Sequence, residues 1–376
     1  MADRVVEALA LRAWALRVLS EGWAGPPEVG APAWRLFLRA ERCALPLSTR
    51  AEGEAPVLLH AAATVELQRV LSARAQLERL GRLAAREGRR ALVLKGGLLA
   101  LTEGAVDLVD VDVLAEPGAA PALAALLDAG GYRAVGPEGP HHLAERAEAF
   151  AVQIEVHHSV KEIPAEELWS GARPLDAWPG LWRPAPANVT WHALAHSTLS
   201  HPFRRAALRD LLLIGWADGQ CGPGDHALLD ARVRGSAGRE ALERVLGLAH
   251  AIRAGTASAD RCRREAAAHY LLLALPRALG PAVARSVFAS LDGPDARRAY
   301  WRTVWRPPVV GSYWPPLARF ERRWPAAGRG IRWLLRLARL PAVEAVAGVV
   351  RVRLRGLVGQ TEADAARTDT SRSGAP

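Results

Sequence analysis

The period of the apolar positions changes along this chain, and each change predicts a different element. From residue 3 to 45 apolar residues recur every three or four positions, in two helical pieces separated by a Pro- and Gly-rich turn at 25–32. A long helix is predicted over 55–87, with Leu58, Leu59, Ala62, Val65, Leu67, Val70, Leu71, Leu77, Leu80 and Leu83 as its apolar positions. The pattern then shortens. Residues 91–94 form an apolar run too brief for a helix and read as a buried strand. Gly96 and Gly97 follow as a sharp turn, and a helix begins at about residue 98. A second strand is predicted at 107–114, a helix at 119–129 ending on Gly130 and Gly131, a third strand at 132–135, a turn at 137–140 and a fourth strand at 149–157. Beyond Pro164 the spacing is helical again, at 165–169, 187–199, 203–218, 225–233, 238–254, 258–275, 281–291 and 293–305.

Two of these strands carry the candidate chemistry. A strand places residues i and i+2 on one face, so Asp110 and Asp112 point together while Val111 and Val113 face the core. In the fourth strand Gln153, Glu155 and His157 alternate with Val152, Ile154 and Val156, which puts a third carboxylate on a polar strand face. Exposed amides at Gly96 and Gly97, next to a helix start, suit phosphate oxygens, and Lys95 adds a charge beside them. Taken alone, an Asp-x-Asp reads equally as the polar face of an edge strand. The order of glycines, paired aspartates and a later carboxylate is what favours a cation site.

Those residues carry a resemblance. LVLKGG, a spacer, DVDVL, a Gly-Tyr after the next helix and IEVHH resemble the polymerase-β-type nucleotidyltransferase superfamily, and within it the bacterial proteins described only as nucleotidyltransferase family proteins. The resemblance covers roughly residues 55–218. It implies an α+β fold, with a small mixed sheet and flanking helices followed by a mostly α-helical C-terminal region. It also implies transfer of a nucleoside monophosphate from a nucleoside triphosphate, ATP, to an acceptor hydroxyl with Mg²⁺ or Mn²⁺. Asp110, Asp112 and Glu155 would then be the metal-binding and catalytic carboxylates, and Lys95, Gly96, Gly97 and His157 would contact the nucleotide. The chain departs from that pattern at Val106 and Val109, where the members it resembles carry an arginine and a small residue. The acceptor is read as a small molecule, a protein side chain or an RNA end, and a non-catalytic nucleotide-binding adaptor or an RNA-binding protein retaining the fold is the alternative.

Composition alters this picture at one end of the chain. Over 376 residues the net charge is +10, yet residues 297–355 alone hold fourteen arginines and no lysine against Glu321 and Glu344. The basicity therefore belongs to one Trp- and Arg-rich segment, which would bind RNA, lie on an anionic membrane or dock by its apolar stripe at Ile331, Leu334, Leu335 and Ala338. Three scattered cysteines, Cys43, Cys221 and Cys262, support neither a disulfide framework nor a thiolate zinc site. No uninterrupted apolar run of about twenty residues is present, so a cytoplasmic protein without a transmembrane span is expected. His192 and His196, at i and i+4 on one predicted helix, share a face and with His201 and His157 form a rival zinc cluster or line the nucleotide pocket. The expected organisation is N-terminal helices (1–54), an α/β core (55–162), a helical domain (163–305), a basic segment (306–358) and a disordered tail (359–376).

Overall fold

The computed structural model describes residues 2–22, 24–51, 55–102, 106–108, 110–135, 141–143, 146–147, 151–201, 205, 207–257, 260–273, 275, 280–305, 320 and 323–372. The predicted turn at 137–140, Val109 and most of the Pro- and Trp-rich stretch at 306–325 lie outside the described residues.

Four helices precede the sheet: α1 (Ala2–Glu21), α2 (Ala31–Glu41), the short α3 (Ala44–Ser48) and α4 (Val57–Arg86). Strand β1 (Ala91–Val93) leads into α5 (Lys95–Thr102), then β2 (Asp110–Ala115), α6 (Ala120–Ala129), β3 (Arg133–Ala134), β4 (Arg146–Ala147) and β5 (Gln153–His157). After α7 (Ala165–Ser170), β6 (Arg173–Pro174) and β7 (Leu181–Arg183) complete a mixed sheet in the order β3-β4-β5-β2-β1-β7-β6. Helices α8 (Pro186–Ala195), α9 (Leu208–Gly219), α10 (Pro223–Gly235), α11 (Arg239–Arg253), α12 (Arg263–Leu273), α13 (Gly280–Leu291), α14 (Pro294–Trp305) and α15 (Pro325–Arg372) follow. The fold is α+β, with helices flanking the sheet and forming the C-terminal region.

Alternation along β1, β2 and β5 divides the sheet into two faces. Val93, Val111, Val113, Ile154 and Val156 share one apolar cluster with Leu77 and Leu80 of α4 and Leu123 and Leu127 of α6. Leu92, Leu94 and Leu114 point the other way, into a second cluster built with α8, α9 and the helices beyond. Asp110 and Asp112 have the parity of Leu114. The polar site therefore opens on the face toward α8 and α9, with α4 and α6 behind it.

Helix α4 is where the sequence predicts, but its phase is different. The buried stripe is Leu59, Ala63, Glu66, Val70, Ala73, Leu77, Leu80 and Ala84, whereas Val65, Leu67 and Leu71 are exposed. The small residues in this stripe let α4 lie close on the sheet: a Cβ at Gly81 would sit 2.6 Å from Pro179 O and 2.9 Å from Leu181 Cγ. Glu66 is buried because its carboxylate accepts the amides of Ala44 (3.0 Å) and Leu45 (2.7 Å), at the start of α3.

The helical layers are pinned by a buried charge network. Arg12 of α1 donates to both oxygens of Glu41 at 2.8 Å and to Asp260 at 2.5 Å. Glu41 also accepts the Leu208 amide at 2.7 Å and the Tyr270 hydroxyl. At the C-terminal end, α15 packs on α12 and α13 through Val343, Ala347, Val350, Leu354 and Leu357. Ile331, Leu334, Leu335 and Ala338, the expected docking stripe, are instead exposed. The helix runs through Pro341 and extends past residue 359, where the composition predicts order to end. Among the described residues no helix is long and apolar enough to cross a membrane.

Candidate active site

The site begins with strand register. Strands β2 and β5 are parallel, and Asp112 lies opposite Glu155, Asp110 opposite Gln153 and Leu114 opposite His157. Because Val111, Val113, Ile154 and Val156 are fully buried on the far side, Asp110, Asp112, Glu155 and His157 are left on one face.

The turn from β1 into α5 delivers the cation. Lys95 itself takes the left-handed conformation, φ 45°, and the glycines after it are already helical. The expected Gly-Gly turn is thus a Lys turn, and the glycines serve a different need. A Cβ at Gly96 would collide with Leu108 Cδ2, and one at Gly97 would meet Val93 Cγ1 at 2.9 Å. The Gly97 amide donates to Leu94 O at 3.1 Å, while the Leu94 amide donates to Asp112 O at 3.0 Å and ties the turn to β2.

Asp112 is the centre of the resulting network. Lys95 Nζ lies 3.1 Å from its Oδ2, and His157 Nε2 lies 2.8 Å from Oδ1 and 3.4 Å from Glu155 Oε2. Burial raises the Asp112 carboxyl, but the charge of Lys95 and the bond from His157 outweigh it and hold the group well below the ordinary range. Burial likewise works against a charged His157, yet its bonds to Asp112 and Glu155 push it up to about 9. Ligating atoms of Asp112, Glu155 and His157 all lie within 4.8 Å of one another. Asp110 stands outside that trio. Its carboxyl is raised by burial and by the charges of Asp112 and Glu155, against the pull of Arg209 and Lys95.

Arg209, at the start of α9, is therefore the arginine that faces Asp110, although it also sits 3.8 Å from Asp210. Val106 is buried and offers no charge. Two further arginines, Arg42 and Arg69, hold the buried Asp107 at 2.6 and 3.1 Å. Beside Gln153 a cavity of about 380 Å³ is lined by Val65, Gln68, Arg69, Ser72 and Val152, within the size range of small-ligand pockets.

Lys95 is held in turn by a chain of contacts that ends on Glu162, a residue the sequence pattern does not single out. Lys95 Nζ also lies 3.4 Å from His196 Nε2, and His196 Nδ1 lies 3.3 Å from Glu162 Oε1. Lysine can only donate, so this arrangement assigns the Nδ1–H tautomer to His196, with Glu162 as its acceptor. Burial and the charge of Lys95 lower His196, which keeps the ring neutral. Glu162 is well below its ordinary range, because bonds from His196 and Ser200 outweigh its burial. His192 lies 3.7 Å from Glu162 and meets His196 edge-on, and the ring of His201 lies 4.5 Å from that of His196. The structure thus separates the histidines: His192 and His196 gather on Glu162, whereas His157 belongs with Asp112 and Glu155. The rival zinc cluster is thus divided: ligating atoms of Glu162, His192 and His196 lie within 4.8 Å of one another, in a group that does not include His157. A π-helical turn, His196–Ser200, interrupts the run from α8 and sets these side chains toward the sheet. Glu162 lies in irregular chain between β5 and α7, where alternation carries no signal.

Neither the curated proteins nor the solved structures contain a match to this chain. A family model described as "Uncharacterised nucleotidyltransferase" matches residues 44–253, more than half of the chain and a stretch that includes Lys95, Asp110, Asp112, Glu155, His157 and Arg209, and the protein belongs to that family.

Proposed function

We propose that this protein transfers a nucleoside monophosphate from a nucleoside triphosphate, ATP, to an acceptor hydroxyl and releases pyrophosphate. The observation that carries the reading is the parallel register of Asp112 with Glu155, joined by Lys95 and His157 on the same Asp112 carboxylate.

The donor set suits a hard dication. Asp110, Asp112 and Glu155 offer oxygens from one sheet face, as Mg²⁺ or Mn²⁺ requires. Lys95 and His157 compensate the Asp112 charge in this structure, and a bound dication would take over that role. When bound, the metal supplies charge that offsets the build-up on the phosphate oxygens during transfer. Asp110, Asp112 and Glu155 hold it. Lys95 and Arg209 orient the triphosphate at the N-terminal turn of α5. His157 positions Asp112 and Glu155. The acceptor oxygen bonds to the α-phosphorus as the bridging bond to the β-phosphate breaks, and Glu155 takes the hydroxyl proton. The acceptor is a small molecule, a protein side chain or an RNA end.

The test is incubation of the full chain with α-labelled ATP, Mg²⁺ or Mn²⁺ and a cell extract. Label transfer that disappears in the Asp110→Ala, Asp112→Ala double variant is the expected result. Triphosphate binding without any transfer identifies the adaptor reading instead, and neither binding nor transfer removes the nucleotide reading altogether.

A further inference from the structure

A cluster outside this site has the makings of a metal centre. Asp218 closes α9, Cys221 lies in the link after it, His226 stands in the first turn of α10 and His250 near the end of α11. Helices α9 and α11 come close because Gly215 faces the Ala249 carbonyl, where an added Cβ would stand 3.0 Å away. That approach carries His250 to Asp218.

The geometry is convergent. His226 Nε2 lies 3.3 Å from Asp218 Oδ1 and His250 Nε2 lies 2.9 Å from Oδ2. The ligating atoms of Asp218, Cys221 and His226 all fall within 4.8 Å of one another. Asp218 is 1% exposed, whereas both imidazoles are nearly half exposed, so an ion has a way in. The close approaches are not hydrogen bonds in direction. Among the described residues neither Asp218 Oδ1 nor His250 Nε2 has a hydrogen-bond partner, although both atoms are shielded from water. Buried polar atoms left in this way cost free energy unless something satisfies them.

An ion-pair hub is the simpler account of Asp218, since Arg253 Nη2 also reaches Oδ2 at 3.4 Å. It does not explain why a thiol stands beside Asp218 and His226, nor why Asp218 Oδ1 has no hydrogen-bond partner among the described residues. Arg253 is half exposed and can remain as an outer partner of the carboxylate. Cys221 Sγ lies 3.4 Å from Thr190 Oγ1 and donates to Ala217 O at 3.8 Å.

We propose that Asp218, Cys221 and His226 bind one divalent transition metal of the zinc class, with His250 holding the second oxygen of Asp218. One sulfur, one imidazole nitrogen and one carboxylate oxygen form a donor set that selects zinc-like ions over Mg²⁺. The ion ties the end of α9 to the start of α10. Its site is nine residues along α9 from Arg209, about 13 Å at the rise of a helix, and is independent of the carboxylates on β2 and β5.

Cobalt(II) titration of the full chain tests this, because a cobalt–thiolate bond gives a charge-transfer absorption that oxygen and nitrogen ligands do not. One equivalent of cobalt should produce that band, and zinc should displace it. The band should vanish in Cys221→Ser and cobalt affinity fall by more than about 10-fold in His226→Ala, both at accessible positions where circular dichroism confirms folding. It should persist in Asp112→Ala, which separates this site from the nucleotide reading. No thiolate band in the wild-type protein, or a band that survives Cys221→Ser, overturns the proposal.

Discussion

The charge of His157 is the most direct measure of how the candidate site is wired. In the metal-free protein its proton is shared between Asp112 at 2.8 Å and Glu155 at 3.4 Å, and the ring is held at about 9 instead of 6.5. That difference corresponds to ~3 kcal/mol of preference for the imidazolium. Asp112→Asn removes the shorter bond and the larger charge while the burial that opposes ionisation stays, so His157 should fall to its ordinary value or below. Glu155→Gln, which removes the longer contact, should lower it less. The assay is a pH titration of the ring carbons and nitrogens by NMR on labelled, metal-free protein. Stability should follow with a definite sign. A raised folded-state pKa on a histidine gives stabilisation that is fully present below 6.5 and lost as pH rises through 9, so the wild type should weaken over that window by up to ~3 kcal/mol and Asp112→Asn should not. A wild-type ring that titrates near 6.5, or one unmoved by Asp112→Asn, would refute the network.

Other consequences can be measured separately. Arg12→Met leaves Glu41 and Asp260 buried without their cation and should cost ~3–5 kcal/mol in urea unfolding; a loss under about 1 kcal/mol would mean the network relaxes freely. Gly81→Ala forces a methyl into Pro179 O and Leu181, and should lower stability by ~1–3 kcal/mol, read as a drop in thermal midpoint. Burial pushes Glu66 up to about 7 despite its two amide bonds, so the folded state holds this proton more tightly than the unfolded chain. Stability should therefore fall as pH rises from 4.5 to 7, by at most ~3 kcal/mol, and Glu66→Gln should flatten that slope; identical slopes in the two proteins would show that Glu66 is not the titrating group.

The parts of the site that could be read in advance are those governed by a period of two. Asp110, Asp112, Glu155 and His157 share a face because Val111, Val113, Ile154 and Val156 must be buried, and this depends on local alternation alone. What escaped has the opposite character. Strands β4, β6 and β7 are two or three residues long, too short to show a period, and β7 is recruited by pairing with β1 across a long connection. The phase of α4 was obscured by counting leucines: Leu67 and Leu71 face solvent while Ala63, Ala73 and Ala84 make the close packing face. Glu162 reaches Lys95 through His196, a tertiary contact that no local pattern encodes. Gly96 and Gly97 were noticeable as glycines, but only the packing shows that crowding by Leu108 and Val93 requires them.

The Arg12 network has a bearing on where this protein can be cut. Its members Arg12 and Glu41 precede the stretch that matches the family, and Asp260 and Tyr270 follow it, so both flanks meet each other across the matched stretch. A fragment spanning only 44–253 would strip Glu41 from the Leu208 amide at the start of α9. That is the helix carrying Arg209 to Asp110. The two ends of the chain thus act as a single clasp, and the orientation of one site arginine depends on residues that the family pattern does not include.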